Sequence, residues 1–271
     1  MKIETLIDDI YAFLNKPDVK AVEEGVPELV KDLTTRITES LSREMKPGLR
    51  MSNLGQPDRK LWYTINQPEK AEPLAPNVRV KFLLGDIFEA LSLFLAQAAG
   101  HKVERRQEMV EIDGVRGRID GTIDGRLVDC KSSSTYGMDK FRENAVKKDD
   151  PFGYIPQLGA YAFAMGLDKG SFLAGDKTLG HLVLDTYELK GVDYKREIAN
   201  KRAMLAKKEP PPRCYPDEKH QDSGNRKLGV GCSYCDFKRH CWQGLRLFMY
   251  SGKPVFLTKV VREPRPDMEV K

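Results

Sequence analysis

No stretch of this chain approaches the ~18 to 20 uncharged apolar residues that a membrane-spanning helix needs. Its start, Met1-Lys2-Ile3-Glu4-Thr5, lacks the basic-then-apolar build of a secretion signal. The reading is therefore a soluble, cytoplasmic protein with no membrane partner. Internal repeats and low-complexity tracts are also missing. Cysteine is scarce and odd in number, five in all, which argues against a disulfide framework. Four of the five fall between Cys214 and Cys241, and clustered thiols in a reducing compartment usually mean metal.

What is present is a globular composition. The 271 residues, 40% hydrophobic and 31% charged, suffice for one sizeable core, or one core plus a small appended module. Lys and Arg number 45 against 40 Asp and Glu, a net of +5 that permits a polyanionic partner without demanding one. Apolar spacing predicts two helices from Ile3 to about Met45 and a buried helix from Val80 to Gly100. Between them lies an irregular connection around Arg59-Lys60-Leu61-Trp62-Tyr63. From Val103 the period shortens to two, and the turn dipeptides Asp113-Gly114 and Asp124-Gly125 predict a three-stranded meander. Helices over Met138 to Lys147, Pro156 to Met165 and Tyr194 to Lys208, with a strand over His181 to Glu188, complete an α/β core. The organisation is a helical segment 1–50, a core 51–209, a cysteine-bearing segment 210–250 and a mobile tail 251–271.

If Asp124-Gly125 is a two-residue hairpin loop, Ile123 faces Arg126 and Asp120 falls opposite Asp129. Arg118, Asp120, Asp129 and Lys131 then share one face, while Ile119, Gly121, Val128 and Cys130 share the other. Opposed carboxylates repel unless a cation intervenes, and oxygen-only ligands suit Mg²⁺ or Mn²⁺. Lys131 beside that ion could orient a water and stabilise charge on a phosphate. An isolated D-x-K tripeptide more often marks an ordinary solvent-facing hairpin. Glu89, four residues after Gly85 on the apolar helix, is a further carboxylate wanting a counter-charge, or else a residue of that helix's polar edge. Gln157 and Tyr161 form an i, i+4 pair suited to a phosphate or a base, or simply to packing.

Gly85-x3-Glu89, Gly117-Arg118-Ile119-Asp120-Gly121, Asp129-Cys130-Lys131 and Gln157-x3-Tyr161, in that order, resemble the motif set of PD-(D/E)xK nucleases. The branch is that of the RecB and AddB nuclease domains and the CRISPR adaptation exonucleases, with the texture of a phage-encoded member. The resemblance covers roughly Leu54 to Trp242. It implies a restriction-endonuclease-like α/β core, a central mixed β-sheet flanked by helices. It also implies a metal held by Glu89, Asp120, Asp129 and the carbonyl of Cys130, catalysis by Lys131, and DNA support from Gln157 and Tyr161. Several relatives carry His where this chain has Glu89.

Cys232-x2-Cys235-x5-Cys241 with Cys214 upstream can complete tetrahedral Zn²⁺ or an iron–sulfur cubane, and spacing alone slightly favours zinc. The last three resemble the C-terminal iron–sulfur triad of the same nuclease branch, which tilts the expectation to [4Fe-4S]. Those relatives place their first cysteine near a segment like Leu54 to Tyr63, where this chain has none. Cys214 would replace it, and the centre would order a segment with few apolar residues of its own. His220 and His240 read as surface residues.

Arg105, Arg106, Arg116, Arg118, Arg126, Lys140, Arg142, Lys147 and Lys148 surround the site in sequence, as phosphate contacts or as an ordinary charged surface. Trp62, Tyr63 and Tyr136 are candidates for stacking on unpaired bases, an adjacent pair such as Trp62-Tyr63 being more often core. The resulting expectation is a Mg²⁺- or Mn²⁺-dependent exonuclease acting on linear DNA in recombination, replication or DNA processing, with a protein of such a pathway as a further partner. The alternatives are an endonuclease on the same core and a non-catalytic DNA-binding module organised by the cysteine centre.

Overall fold

The computed structural model describes residues 1–42 and 47–270. The first hundred residues form α1 (Leu6–Asn15), α2 (Val19–Ser42), α3 (Asp58–Asn66) and α4 (Pro76–Ala98). The end of the second helix, expected near Met45, lies outside the described residues. β1 (Val103–Glu104), β2 (Met109–Ile112), β3 (Val115–Arg118), β4 (Gly121–Ile123) and β5 (Arg126–Ser133) follow, then α5 (Thr135–Arg142), α6 (Tyr154–Ala164), β6 (Lys169–Asp176), β7 (Leu182–Glu188) and α7 (Tyr194–Leu205). The chain divides into two compact units, Met1–Gly55 with Ala75–Ile198, and Gln56–Leu74 with Ala199–Lys271. Among the described residues no helix is long and apolar enough to cross a membrane.

The first unit is built on a sheet of order β1-β4-β5-β6-β7, parallel between β5 and β6 and antiparallel elsewhere. It is a mixed sheet with helices on both faces. Consecutive residues of β5 and β6 go to opposite sides, as the pleat requires. Leu127, Phe172 and Ala174 join Met138, Phe141, Leu158 and Ile198 from α5, α6 and α7. Val128 and Leu173 join Leu6, Ile10, Leu93 and Ala96 from α1 and α4.

Both Asp-Gly dipeptides turn as expected, with positive φ at Asp113, Gly114, Asp124 and Gly125 and with Ile112 facing Val115 and Ile123 facing Arg126. They do not make one meander. β2 and β3 form a separate two-stranded ribbon whose Val110, Ile112 and Val115 pack against the α6 side of the core. Strand β6 escaped the sequence reading because both its faces are buried and it carries no alternation. Its Gly170 and Gly175 leave room for the side chains of Leu158 and Phe88. The helix expected to be buried is only half so. Ala90, Leu93 and Ala96 are buried, but Val80, Phe82, Leu84, Ile87 and Leu91 are exposed, because only the C-terminal half of α4 lies in the core cluster.

The second unit has its own sheet. β8 (Glu218–His220), β9 (Asn225–Lys227), β10 (Arg246–Tyr250), β11 (Lys253–Lys259) and β12 (Glu269–Val270) pair in the order β12-β10-β11-β9-β8, and the short helices α8 (Val230–Ser233) and α9 (Lys238–Cys241) carry Cys232 and Cys241, with Cys235 between them. The stretch after Ser251 therefore supplies the central strand β11 and the edge strand β12 of this sheet, both with hydrogen-bonded partners, and is not a mobile tail. Nor is the cysteine-bearing segment poor in apolar anchors, since Leu228, Phe237, Leu245 and Phe248 are buried. Trp62 and Tyr63 pack with Phe237 into a core and cannot stack on bases. His220, expected at the surface, is buried against the Tyr250 ring, whereas His240 is exposed.

Candidate active site

Asp129 and Lys131 lie two apart on β5 and share the α6 side of the sheet, with Cys130 turned to the other. Asp129 is 2% exposed, so this is not a solvent-facing hairpin. Lys131 Nζ stands 2.5 Å from Asp129 Oδ2, an oxygen that receives no well-directed hydrogen bond. Asp120 sits one residue ahead of β4, and its Oδ2 accepts the backbone N–H of Cys130 at 2.7 Å, which fixes it beside the Asp129–Lys131 segment. Ile119, assigned to the face of Val128 and Cys130, instead joins the opposite core, because the β4 ladder has not begun at that residue.

Gln157 and Tyr161 project from α6. Gln157 Nε2 donates to Asp129 Oδ1 and to the Tyr161 hydroxyl, each at 3.3 Å. Tyr161 is buried, so this pair orients Asp129 and does not face an open groove. Gly117 explains its place in the motif. A Cβ there would meet the Tyr161 ring at 2.4 Å and Met51 at 2.7 Å. Gly85 has no such duty, since a Cβ there would meet Ser132 Oγ at an ordinary 3.8 Å.

Glu89 comes from α4, 13% exposed at the side chain, and its partner is a residue that the sequence reading missed. Arg36 of α2, 8% exposed, donates from Nη1 to Glu89 Oε1 at 2.7 Å and holds Asp32 through Nε and Nη2 at 2.8 and 3.1 Å. The i, i+4 Asp32–Arg36 spacing on an amphipathic helix was the signal the sequence offered. Gln107 also donates to Glu89, at 2.7 Å.

These charges perturb one another. Burial, and then Glu89 and Asp129, push the Asp120 carboxyl well above the usual carboxylate range. Burial raises Glu89 against the opposing pull of Arg36. Burial alone would lower Lys131, but Asp129 and Asp120 outweigh it, so the ammonium stays charged. Perturbed, convergent titratable groups of this kind cluster at functional sites and also occur in structural ion-pair networks.

The chemistry of the donor set suits a hard divalent cation: oxygen ligands only, with mutual repulsion that a cation relieves. The spacing is wider than coordination needs. Among the described residues no three His, Cys, Asp or Glu side chains stand close enough to hold an ion, with Glu89 drawn to Arg36 and Asp129 to Lys131. The same holds for the cysteines. Cys214, Cys232, Cys235 and Cys241 line one cavity of the second unit with Arg59, Lys60, Arg213, Lys238 and Trp242, but they do not form a closed four-thiolate centre. Burial, then the neighbouring Cys235 and Cys214, push the Cys232 thiol up to about 11.

The basic residues around the site are largely spoken for. Arg105 pairs with Glu108, Arg106 with Glu28, Arg116 with Glu111, Arg118 with Glu39, Arg126 with Glu4, Lys140 with Asp149 and Arg142 with Asp139. Tyr136, at the start of α5, is 86% exposed.

No family model and no curated protein matches the chain. Among solved structures it is similar to SSO0001 (18% identity, 77% of this chain and 93% of that one, TM-score 0.45). It is similar also to LHK-Exo in complex with dAMP (15%, 63% and 82%, TM-score 0.36) and to a phage related exonuclease from Haemophilus somnus 129PT (15%, 62% and 93%, TM-score 0.37). Likeness at this level assigns neither a reaction nor a ligand to this chain.

Proposed function

We propose that this chain is a divalent-metal-dependent DNA exonuclease. The observation that carries the reading is the convergence of Glu89, Asp120, Asp129 and Lys131, four residues from α4, β5 and the connection ahead of β4, around one largely buried point. Gln157 and Tyr161 orient Asp129 from behind. Glu89, Asp120, Asp129 and the Cys130 carbonyl would hold the ion, Glu89 and Asp129 then exchanging their present cationic partners for it. A bound Mg²⁺ or Mn²⁺ supplies Lewis-acid stabilisation of the phosphodiester and a more acidic water. Lys131, charged throughout the working pH range, places an ammonium against the growing negative charge on the phosphate. Asp120 is fixed by a backbone donor, so it presents its remaining oxygen at no cost in side-chain ordering.

The test is incubation of end-labelled linear single- and double-stranded DNA and a closed circle with Mg²⁺ or Mn²⁺. Loss of linear DNA alone is the expected result. Cutting of the circle would replace the exonuclease by an endonuclease on the same core. A footprint on DNA with no product under any metal would leave a binding module.

The proposal extends to the four cysteines as ligands of an iron–sulfur cluster, or failing that Zn²⁺. What supports it is the composition of their cavity, where four cationic side chains line the thiols and Arg59 Nε donates to Cys241 Sγ at 3.4 Å, counter-charges for the thiolates of a metal centre against the burial that raises Cys232. Cys214 then has to move inward, since it is exposed. Protein purified without oxygen is expected to carry iron, and Cys232→Ser to lose most of it while Cys130→Ser keeps it. Protein with neither iron nor zinc would end this part of the proposal.

A further inference from the structure

Tyrosine carries a large ring whose burial is a main source of its packing energy. Tyr136, in the first turn of α5, leaves 86% of its surface in solvent. Helix phase sets its direction. Met138 and Phe141 turn one face of α5 into the core that holds Leu127 and Phe172, and at about 100° per residue Tyr136 falls opposite that face. The same core lies on the side of the sheet that carries Asp129 and Lys131. Tyr136 follows Lys131 by five residues, a span of no more than about 18 Å. The ring thus stands just past the carboxyl end of β5, on the side of Lys131, within reach of a strand a few nucleotides long.

The backbone beneath it is held from both sides. Ser134 Oγ accepts the Gly137 N–H at 3.3 Å and caps α5. Thr135 Oγ1 donates to Asp176 Oδ1 at 3.3 Å, and that oxygen also accepts the N–H groups of Thr178 and Leu179 at 2.8 and 3.1 Å. A Cβ at Gly137 would collide with Ser133 Oγ, so this turn has no slack. β5 and β6 run parallel with Ser133 beside Asp176, which brings their carboxyl ends together. The Ser133 carbonyl accepts the Lys177 N–H at 3.1 Å across that junction. Lys177 is exposed, and among the described residues it forms no ion pair. A ring and an ammonium on a pinned backbone lose little further freedom when a ligand arrives.

We infer that Tyr136 and Lys177 form a ledge for a single DNA strand at the joined carboxyl ends of β5 and β6, Tyr136 stacking on an unpaired base and Lys177 pairing with a phosphate of the same strand. The inference rests on the nuclease reading and adds to it the substrate class, a strand that is single or frayed where it meets the ledge. Every base has a π-face, so the ring is indifferent to sequence, and it needs the base unpaired. Most cations near Lys131 would have to leave an acid before meeting a phosphate, as Lys140 would leave Asp149. Lys177 has no acid to leave.

The experiment is a binding cycle on the full-length protein with Ca²⁺ in place of Mg²⁺. Single-stranded oligonucleotides carry one abasic residue, walked inward from the end, and are offered to wild type, Tyr136→Ala and Tyr136→Phe. At one position the abasic residue is expected to weaken binding to wild type about tenfold and to cost Tyr136→Ala nothing further. Tyr136→Phe should behave as wild type, because stacking uses the ring and not the hydroxyl. Lys177→Gln should weaken binding at every position alike and flatten the dependence of log K on log salt by about 0.7. Losses that add at every position, or binding indifferent to the abasic residue, overturn the stacking, and an unchanged salt slope in Lys177→Gln overturns the phosphate contact. Cleavage of linear DNA by wild type leaves the nuclease standing in either case. Wild-type protein that neither binds nor cuts DNA overturns the nuclease reading, and the ledge with it.

Discussion

Asp129→Asn and Lys131→Ala are each expected to slow degradation of linear DNA by about a thousandfold, and to move stability in different ways. The rate effect follows from position. Asp129 is the carboxylate on which Lys131 and Gln157 converge, and Lys131 is the cation nearest it. The stability effect follows from charge. Among the described residues, Asp32, Glu89 and Asp129 pair with Arg36 and Lys131, and Asp120 stands beside them as a further acid, a buried excess of negative charge. Removing Lys131 enlarges that excess and leaves Asp129 without its counter-ion, a loss of about 3–5 kcal/mol. Asp129→Asn reduces the excess, keeps the shape and keeps an acceptor for Gln157, so its stability should lie within about 1 kcal/mol of wild type. Urea unfolding at one pH, beside single-turnover cleavage, separates the two. Equal stability losses in both variants would mean that the site's charges are solvated and not mutually strained.

Much of the fold was legible where local chemistry alone decides it. Asp-Gly between alternating runs demands positive φ at both residues, and both hairpins close at the expected pair. From that register the shared face of Asp129 and Lys131 followed by counting. What could not be counted was long-range. β6 lies parallel to β5 across two intervening helices, and its sequence, with two glycines and no alternation, is shaped by neighbours on both faces. The exposed half of α4 and the buried half have the same apolar texture, so periodicity could not divide them. The edge strands of the second unit, Glu218–His220 and Glu269–Val270, are only three and two residues long, too short to show a period. The site shows the same division. Residues on one hairpin or one helix face were readable together. Arg36 reaches it from a segment with no motif of its own, and only packing brings it in.

Arg36→Met is expected to destabilise the first unit by about 3–5 kcal/mol, a large share of an ordinary domain's stability. The guanidinium is 8% exposed and bonds two carboxylates, Asp32 and Glu89, whose side chains are 16% and 13% exposed. Methionine fills the volume of the stem but leaves both acids buried without a cation. If the loss comes from uncompensated charge and not from packing, neutralising the acids should repair it. Arg36→Met with Asp32→Asn and Glu89→Gln is therefore expected to recover most of the lost stability, a coupling that independent sites would not show. Glu89 also links this triad to the proposed metal, because the oxygen Arg36 holds is one that a divalent ion would take. Mn²⁺ should accordingly raise the urea midpoint of Arg36→Met more than that of wild type, since the ion there meets no competing guanidinium. The same ion should do nothing for the triple variant, which lacks the Glu89 charge. A loss under about 1 kcal/mol in Arg36→Met, or the same Mn²⁺ response in all three proteins, would detach α2 from the site and leave Glu89 as a structural acid of α4.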